Sequence, residues 1–271
     1  MADSAPQVLP ERAEGFDDVS IHGGGGESEG EAEKLPRNVS SIARSARGDV
    51  AAGFAEADVT VEGRWFMPGA HQGFIEPHVA QAEPEEGGLL LHTPTQGHRF
   101  ARDEVSRMLG VPLQAVRVVS MPVGGGFGGK VVLLEPLVAA LARAAARPVR
   151  LALTRSEEFQ VGRGAPASHT DLKLGARRDG TLVALQVTQY WDNGAASGWH
   201  GGIAGQLFSM AYTIPNLDFK AYEVSTNKTP ADAYRAPGGT QVYHAQLRGQ
   251  LVEGRFAVSY THLRAHETGR N

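Results

Sequence analysis

The stretch Met121-Pro122-Val123-Gly124-Gly125-Gly126-Phe127-Gly128-Gly129-Lys130-Val131-Val132-Leu133-Leu134-Glu135-Pro136 decides how this chain is read. Val116-Arg117-Val118-Val119 precedes it, a short β-branched run with the character of a buried strand. Leu133–Arg147 follows, rich in Ala and Leu, which predicts a helix. The expected unit is therefore strand, glycine loop, helix. Glycine removes the Cβ that would otherwise hold a ligand or a second backbone away. The first amides of a helix lack internal partners and suit an anion or an oxo group.

Two generic patterns fit this loop in part. Gly124-x-x-x-x-Gly129-Lys130 is most of a phosphate-binding P-loop, but Val131 stands where a Ser or Thr would hold Mg²⁺. Gly124-x-Gly126-x-x-Gly129 satisfies a dinucleotide fingerprint. Some 20 residues on, however, stand Pro148, Val149 and Arg150 in place of the acidic residue that would meet a ribose. An NAD(P)-binding dehydrogenase domain and a non-enzymatic α+β binding module remain as alternatives on the pattern alone.

Composition narrows the class. The chain has 271 residues, room for one large or two modest domains, and its 41% hydrophobic content suffices for a core. A net charge of −4 with scattered arginines argues against nucleic acid, and 7% aromatics are too few for a base-stacking surface. There is no cysteine, so disulfides, thiolate zinc sites and iron–sulfur clusters are excluded within this chain. The most apolar stretch, residues 131–146, is broken by Glu135, Pro136 and Arg143, so no membrane span is expected. No basic-then-apolar leader opens the sequence, and the expected location is cytoplasmic.

Along the chain, residues 1–46 are acidic and Gly-rich and read as a linker or the end of a preceding small domain. Asp49 is placed to cap a short helix through Glu56. Strands are expected at Asp58–Trp65, His78–Glu83 and Leu89–Thr93, and a helix at His98–Leu109 stopped by Gly110. Beyond the glycine unit come a strand at Pro148–Thr154 and a helix starting near Ser156-Glu157-Glu158. A hairpin of His169–Gly175 and Thr181–Trp191 turns at Asp179-Gly180. A glycine-rich loop at Asp192–Gly205 and a short helical turn at Gln206–Tyr212 follow. Leu217–Ser225 reads as a strand, Thr229–Thr240 as a loop and Gln241–Glu253 as a helix. Mixed elements with a hairpin give an α+β fold. Residues 258–271 fit nothing before them and read as non-native adapter read-through. His262-x-x-x-His266 within that tail lacks the context of a zinc site.

Gly-Gly-Gly-Phe-Gly-Gly-Lys resembles the signature of the molybdenum hydroxylase family: xanthine dehydrogenases, aldehyde oxidoreductases and carbon monoxide dehydrogenase large subunits. Further segments resemble that family in its order. These are Ala57-Asp58-Val59-Thr60-Val61-Glu62-Gly63, Gly73-Phe74-Ile75-Glu76-Pro77-His78 and Thr93-Pro94-Thr95-Gln96, then Arg147-Pro148-Val149-Arg150, Ile214-Pro215-Asn216 and Ala233-Tyr234-Arg235-Ala236-Pro237-Gly238. The resemblance implies the family's first molybdenum-cofactor-binding domain, with mixed sheets and helices, over residues 47–257 and incomplete at the C-terminus.

The same resemblance implies hydroxylation of an electron-poor carbon with water as oxygen source. Two electrons would leave through iron–sulfur clusters to FAD, both carried by partner domains or subunits of a hetero-oligomer. The cofactor implied is molybdenum-molybdopterin, plain or as its cytosine dinucleotide. Carried onto this sequence, the cofactor-binding residues are Gln96, Gly126, Phe127, Gly128 and Arg235. Backbone amides at Gly126, Phe127 and Gly128 and the Gln96 NH₂ would face oxo groups, and Arg235 would meet the anionic pterin or metal charge. The resemblance also implies that the molybdenum would be held through the pterin, with no direct protein ligand. Glu76 is read as a structural acceptor, while Lys130 has two readings, cofactor contact or loop cap.

Two features depart from the purine-oxidising members. Val131 replaces a Glu after Gly-Gly-Lys, and Gly205-Gln206 precedes Leu207-Phe208 without the Arg those members carry. An aldehyde, an N-heteroaromatic compound or a similar small substrate is expected. The family's general-base Glu lies in a C-terminal half absent from this sequence, so the chain alone is expected to be inactive.

Overall fold

A computed structural model describes residues 35–210 and 212–256. In chain order the elements are β1 (Val39–Arg47), α1 (Val50–Ala55), β2 (Val59–Met67), β3 (Val79–Glu85), β4 (Gly88–Thr93), α2 (His98–Leu109) and β5 (Val116–Ser120). Then come α3 (Glu135–Ala145), β6 (Val149–Ala152), α4 (Arg155–Val161), β7 (Ala167–Ala176), β8 (Leu182–Asp192), α5 (His200–Met210), β9 (Asn216–Val224) and α6 (Gly239–Phe256). They form two compact units. One holds the described residues up to Gly69, Pro166–Ala231 and those from Ala236 on, and the other Ala70–Ala165 with Asp232–Arg235.

The first unit is built on a five-stranded sheet in the order β1-β9-β8-β7-β2, antiparallel except for the parallel pair β8 and β9. Alternation in β7, β8 and β9 sends Leu172, Leu174, Leu185, Val187, Trp191, Phe219 and Ala221 to one face, where Phe208 of α5 and Val242 and Ala245 of α6 close the core. The hairpin at Asp179-Gly180 forms as the sequence predicts. Gly180 takes φ +86°, and the Asp179 carboxylate accepts the Thr181 amide at 2.9 Å.

Two expectations are corrected here. Val39–Arg47 is not linker but an edge strand paired along its length with β9. Its Ser, Ala and Arg residues give little apolar alternation, because only part of one face is covered and a bulge shifts the register between Val39 and Ser41. Residues 200–205 are not loop but the first half of α5. Its glycines serve contact with the sheet. A Cβ at Gly201 would lie 2.7 Å from Ala221 Cβ, and one at Gly205 3.0 Å from the Phe219 ring.

The second unit carries a four-stranded sheet, β5-β4-β3-β6, in which only β4 and β5 run parallel. Ala80 and Ala82 of β3 and Leu89 and Leu91 of β4 face Val105 of α2 and Val138, Ala139 and Ala142 of α3. Small residues on both β3 and α3 allow that helix to lie close to the sheet. Helix α4 opens on a capping box, with Thr154 accepting the Glu157 amide and Glu157 reaching back to the Thr154 amide. The segment of residues 258–271 read as a read-through tail lies outside the described residues, as does most of the acidic N-terminal stretch.

Candidate cofactor-binding site

All the residues of the candidate site belong to the second unit, gathered around the loop that leaves β5. Its backbone turns through the left-handed region three times, at Gly125 (φ +97°), Phe127 (+50°) and Gly128 (+99°). The Gly129 amide closes the turn by donating to Gly126 O at 2.8 Å. Phe127 bears the steric penalty of a non-glycine residue in that region, and its ring stays 46% exposed.

The loop is pinned at both ends. At Gly124, the amide donates to Glu76 Oε2 at 2.8 Å, and a Cβ there would reach 2.6 Å from Glu76 Cβ. At the other end Lys130 turns inward: only 1% exposed, its Nζ lies 2.6 Å from the same Glu76 oxygen and 4.7 Å from the centre of the Phe74 ring. Partial burial pushes the Glu76 carboxyl up. The Lys130 ammonium and the Gly124 amide more than offset this, holding it below the usual carboxylate range. Of the two readings of Lys130, the geometry supports the loop cap, and Glu76 is the structural acceptor the sequence suggests.

Gln96 sits on the other side of the loop. Its Oε1 accepts from the Gly128 amide at 2.9 Å and from the Lys130 amide at 3.3 Å, while its own backbone amide donates to Lys130 O at 2.6 Å. Two N–H donors at one atom identify that atom as the oxygen, so the NH₂ points the other way. Among the described residues that NH₂ has no protein partner. Gly126 must be glycine for this, because a Cβ would stand 2.4 Å from Gln96 Oε1.

The Gly128 amide, expected to face the cofactor, is thus engaged by Gln96. The glycine is needed there for a different reason: a Cβ would come within 2.9 Å of Ala233 Cβ and O. The amides of Gly126 and Phe127 have no partner among the described residues.

Arg235 is brought to this loop from more than a hundred residues away. Its amide donates to Phe127 O at 2.8 Å, and the Asp232 amide donates to Gly164 O at 2.8 Å. Arg235 and Ala236 take φ +23° and +62°, conformations that non-glycine residues hold only when surroundings impose them. The guanidinium is exposed and makes no ion pair among the described residues.

The expected order of strand, glycine loop and helix forms, with α3 starting at Glu135, two residues after the expected Leu133. Between Lys130 and α3 lies an irregular stretch. Glu135 ties this stretch to the helix start, with Oε2 accepting the Leu133 amide at 2.8 Å and Oε1 the Thr93 hydroxyl at 2.7 Å, and Pro136 occupies the first turn. The P-loop reading still lacks a Ser or Thr at Val131, and the dinucleotide reading its acidic residue.

Sequence reasoning passed over Glu158, which holds the segment carrying Glu76. Fully buried on α4, it accepts from the His78 amide at 2.7 Å, from His78 Nδ1 at 2.9 Å and from His71 Nε2 at 3.3 Å. Burial pushes its carboxyl up; the His78 amide and the two imidazoles carry it back below the usual range. The available signal was an acidic residue on the core face of a short helix, one position past the capping Glu157.

A group with anionic or oxo oxygens fits these residues. Among the described residues, two backbone amides, one carboxamide NH₂ and one guanidinium are left without protein partners on these neighbouring segments, and all are donors. Residues 32–247 match the molybdopterin cofactor-binding domain family. The chain belongs to that family. This molybdopterin-binding domain is 34% identical over 203 residues to the xanthine dehydrogenase/oxidase of Mus musculus, covering 72% of this chain and 15% of that relative. It is 30% identical over 268 residues to the nicotinate dehydrogenase large molybdopterin subunit of Eubacterium barkeri, covering 96% of this chain and 60% of the relative.

Among solved structures, quinoline 2-oxidoreductase from Pseudomonas putida 86 superposes with a TM-score of 0.76 at 30% identity, over 84% of this chain and 31% of that one. The domain thus spans less than two thirds of the length of these relatives. The mixed-sheet architecture expected from the sequence agrees with that neighbour. No helix among the described residues is long and apolar enough to cross a membrane.

Proposed function

We propose that this domain holds the molybdenum cofactor of a hydroxylase acting on an aldehyde or an N-heteroaromatic compound, within a larger assembly that includes iron–sulfur and FAD partners. The observation that carries the reading is the orientation of Gln96, whose oxygen is occupied by two loop amides and whose NH₂ is left over for a ligand.

When bound, the molybdopterin centre supplies oxidation of an electron-poor carbon with oxygen from water and returns electrons to the partners. The chain's own residues bind and orient it. Gln96 Nε2 and the amides of Gly126 and Phe127 donate to oxygens that gain negative charge, without giving up a proton. Arg235 neutralises anionic charge. The Glu76–Lys130 pair fixes the loop, so the donors need no rearrangement on binding. The absence of an acidic residue at Val131 favours a substrate recognised by shape and ring stacking, and the exposed Phe127 ring suits that role.

The test is to express the full-length gene with its neighbouring subunits and measure molybdenum and pterin per protomer. Stoichiometric molybdenum that falls several-fold on Arg235→Ala supports the assignment, and turnover can then be screened with aldehydes and N-heterocycles. Bound NAD(P) in place of molybdenum would overturn it.

A further inference from the structure

We propose that Gln72 is a positioning residue that fixes the Arg235 loop against the glycine loop. The inference rests on the reading of this site as an anion-binding cofactor cradle.

Gln72 is 6% exposed, and both protons of its NH₂ are used. One goes to Arg163 O at 2.8 Å and the other to Ala233 O at 2.7 Å. Two carbonyl acceptors around one atom identify it as nitrogen, so the amide cannot be reversed. The carboxamide lies flat under the glycine loop, where a Cβ on Gly129 would come within 2.7 Å of its carbon and nitrogen and 2.9 Å of its oxygen. Three chain segments distant in sequence therefore meet on one side chain: the glycine loop, the turn after α4 and the loop of Arg235.

The other end of the carboxamide shows what the residue is for. Among the described residues, Gln72 Oε1 is buried without a hydrogen-bond partner. An unpaired buried oxygen is a net cost, and an apolar side chain of similar shape would avoid it. The benefit must come from the two donated bonds. One of them holds Ala233 O, two residues before a backbone in the rare φ +23° conformation at Arg235. That conformation has two visible supports, the Gln72 bond at Ala233 and the Arg235 amide's bond to Phe127 O. The first keeps the second in register, so Gln72 reaches Arg235 through the backbone without touching any ligand.

The experiment uses the full-length protein with its partner subunits, comparing wild type with Gln72→Leu, Gln72→Asn and Arg235→Ala, and the double variant Gln72→Leu/Arg235→Ala. Amide hydrogen exchange is followed across residues 232–236 alongside molybdenum content and the melting temperature. The expected result is exchange at the Arg235 amide at least ten-fold faster in Gln72→Leu, with the sheet amides of β3 and β4 unchanged. Molybdenum should fall to the Arg235→Ala level, with no further fall in the double variant.

Gln72→Asn retains the chemistry but withdraws the donor by one methylene. It should show the same local loss, which keeps the test available if Gln72→Leu does not fold. Unchanged exchange at Arg235 in either folded variant would overturn the proposal, as would a double variant losing the product of the two single effects. If Arg235→Ala itself retains full molybdenum, the cofactor role of Arg235 falls. The exchange readout still decides the positioning role of Gln72.

Discussion

Lys130 Nζ and Glu76 Oε2 lie 2.6 Å apart, yet the ammonium is 1% exposed and the carboxylate 33%. The pair is lopsided: the cation is shut away from solvent between Glu76 and the Phe74 ring, whereas the anion is partly exposed. Its two halves should respond unequally to substitution. Glu76→Gln strands a buried charge and is expected to cost about 3 kcal/mol or more. Lys130→Met replaces the buried stem with an apolar one beneath Phe74 and should cost within about 1 kcal/mol. Urea denaturation of the two variants gives the ordering, and equal losses would contradict the burial asymmetry.

The glycines of the chain divide by what lies next to them. Gly128→Ala meets both a left-handed backbone and the Ala233 backbone at 2.9 Å, so about 3 kcal/mol is expected from strain and collision together. Gly180 shares the positive φ but faces open space, and Gly180→Ala should cost only about 1 kcal/mol. Thermal melts of the two variants test this ranking.

Gln96→Glu separates the two ends of one side chain. An oxygen remains for the Gly128 and Lys130 amides, while the outward NH₂ becomes a second anionic oxygen. The melting temperature is expected to stay within a few degrees of wild type, whereas molybdenum content of the assembled protein falls several-fold. Retained molybdenum would show that the NH₂ does not meet the cofactor.

Glu223, in the first unit, predicts a pH dependence. Burial pushes its carboxyl up to about 7, the Gly201 amide at 2.5 Å and Asn193 Nδ2 at 2.6 Å offsetting only part of the cost. The folded state therefore holds this proton where the unfolded state, near 4.5, has released it. Stability is unaffected below about pH 4.5, declines as pH rises to about 7 and stays reduced above that, by on the order of 3 kcal/mol. Melting temperatures at pH 5.5 and 8.5 should differ in that direction, and Glu223→Gln should narrow the difference.

Much of this was legible in the chain. The α2 boundaries, the Asp49 cap and the Asp-Gly hairpin follow from short-range rules, and the structure keeps them. So does the grouping of Gln96, the glycine loop and Arg235, which the family resemblance implied. What escaped was decided by contacts across the sequence. A glycine-rich helix reads as a loop until Ala221 and Phe219 are seen against it. Edge strand β1 lacks alternation because its partner β9 supplies the pairing. The Gly128 amide looked free because nothing local says that Gln96 turns its oxygen toward it.

Arg235 reaches its unit by way of a segment, Asp232–Arg235, that follows the whole stretch Pro166–Ala231 in the chain. On the ribosome, then, the glycine loop and Gln96 are made well before their basic neighbour. At about 5–20 residues per second, the intervening segment takes several seconds to emerge. Through that interval the Ala233 carbonyl is missing from Gln72 and the Arg235 amide from Phe127 O. A nascent chain at that length contains Gln96 and the glycine loop but not yet Arg235. The contacts of Gln72 and Phe127 with the Arg235 segment can therefore form only after the hairpin strands β7 and β8 have been synthesised.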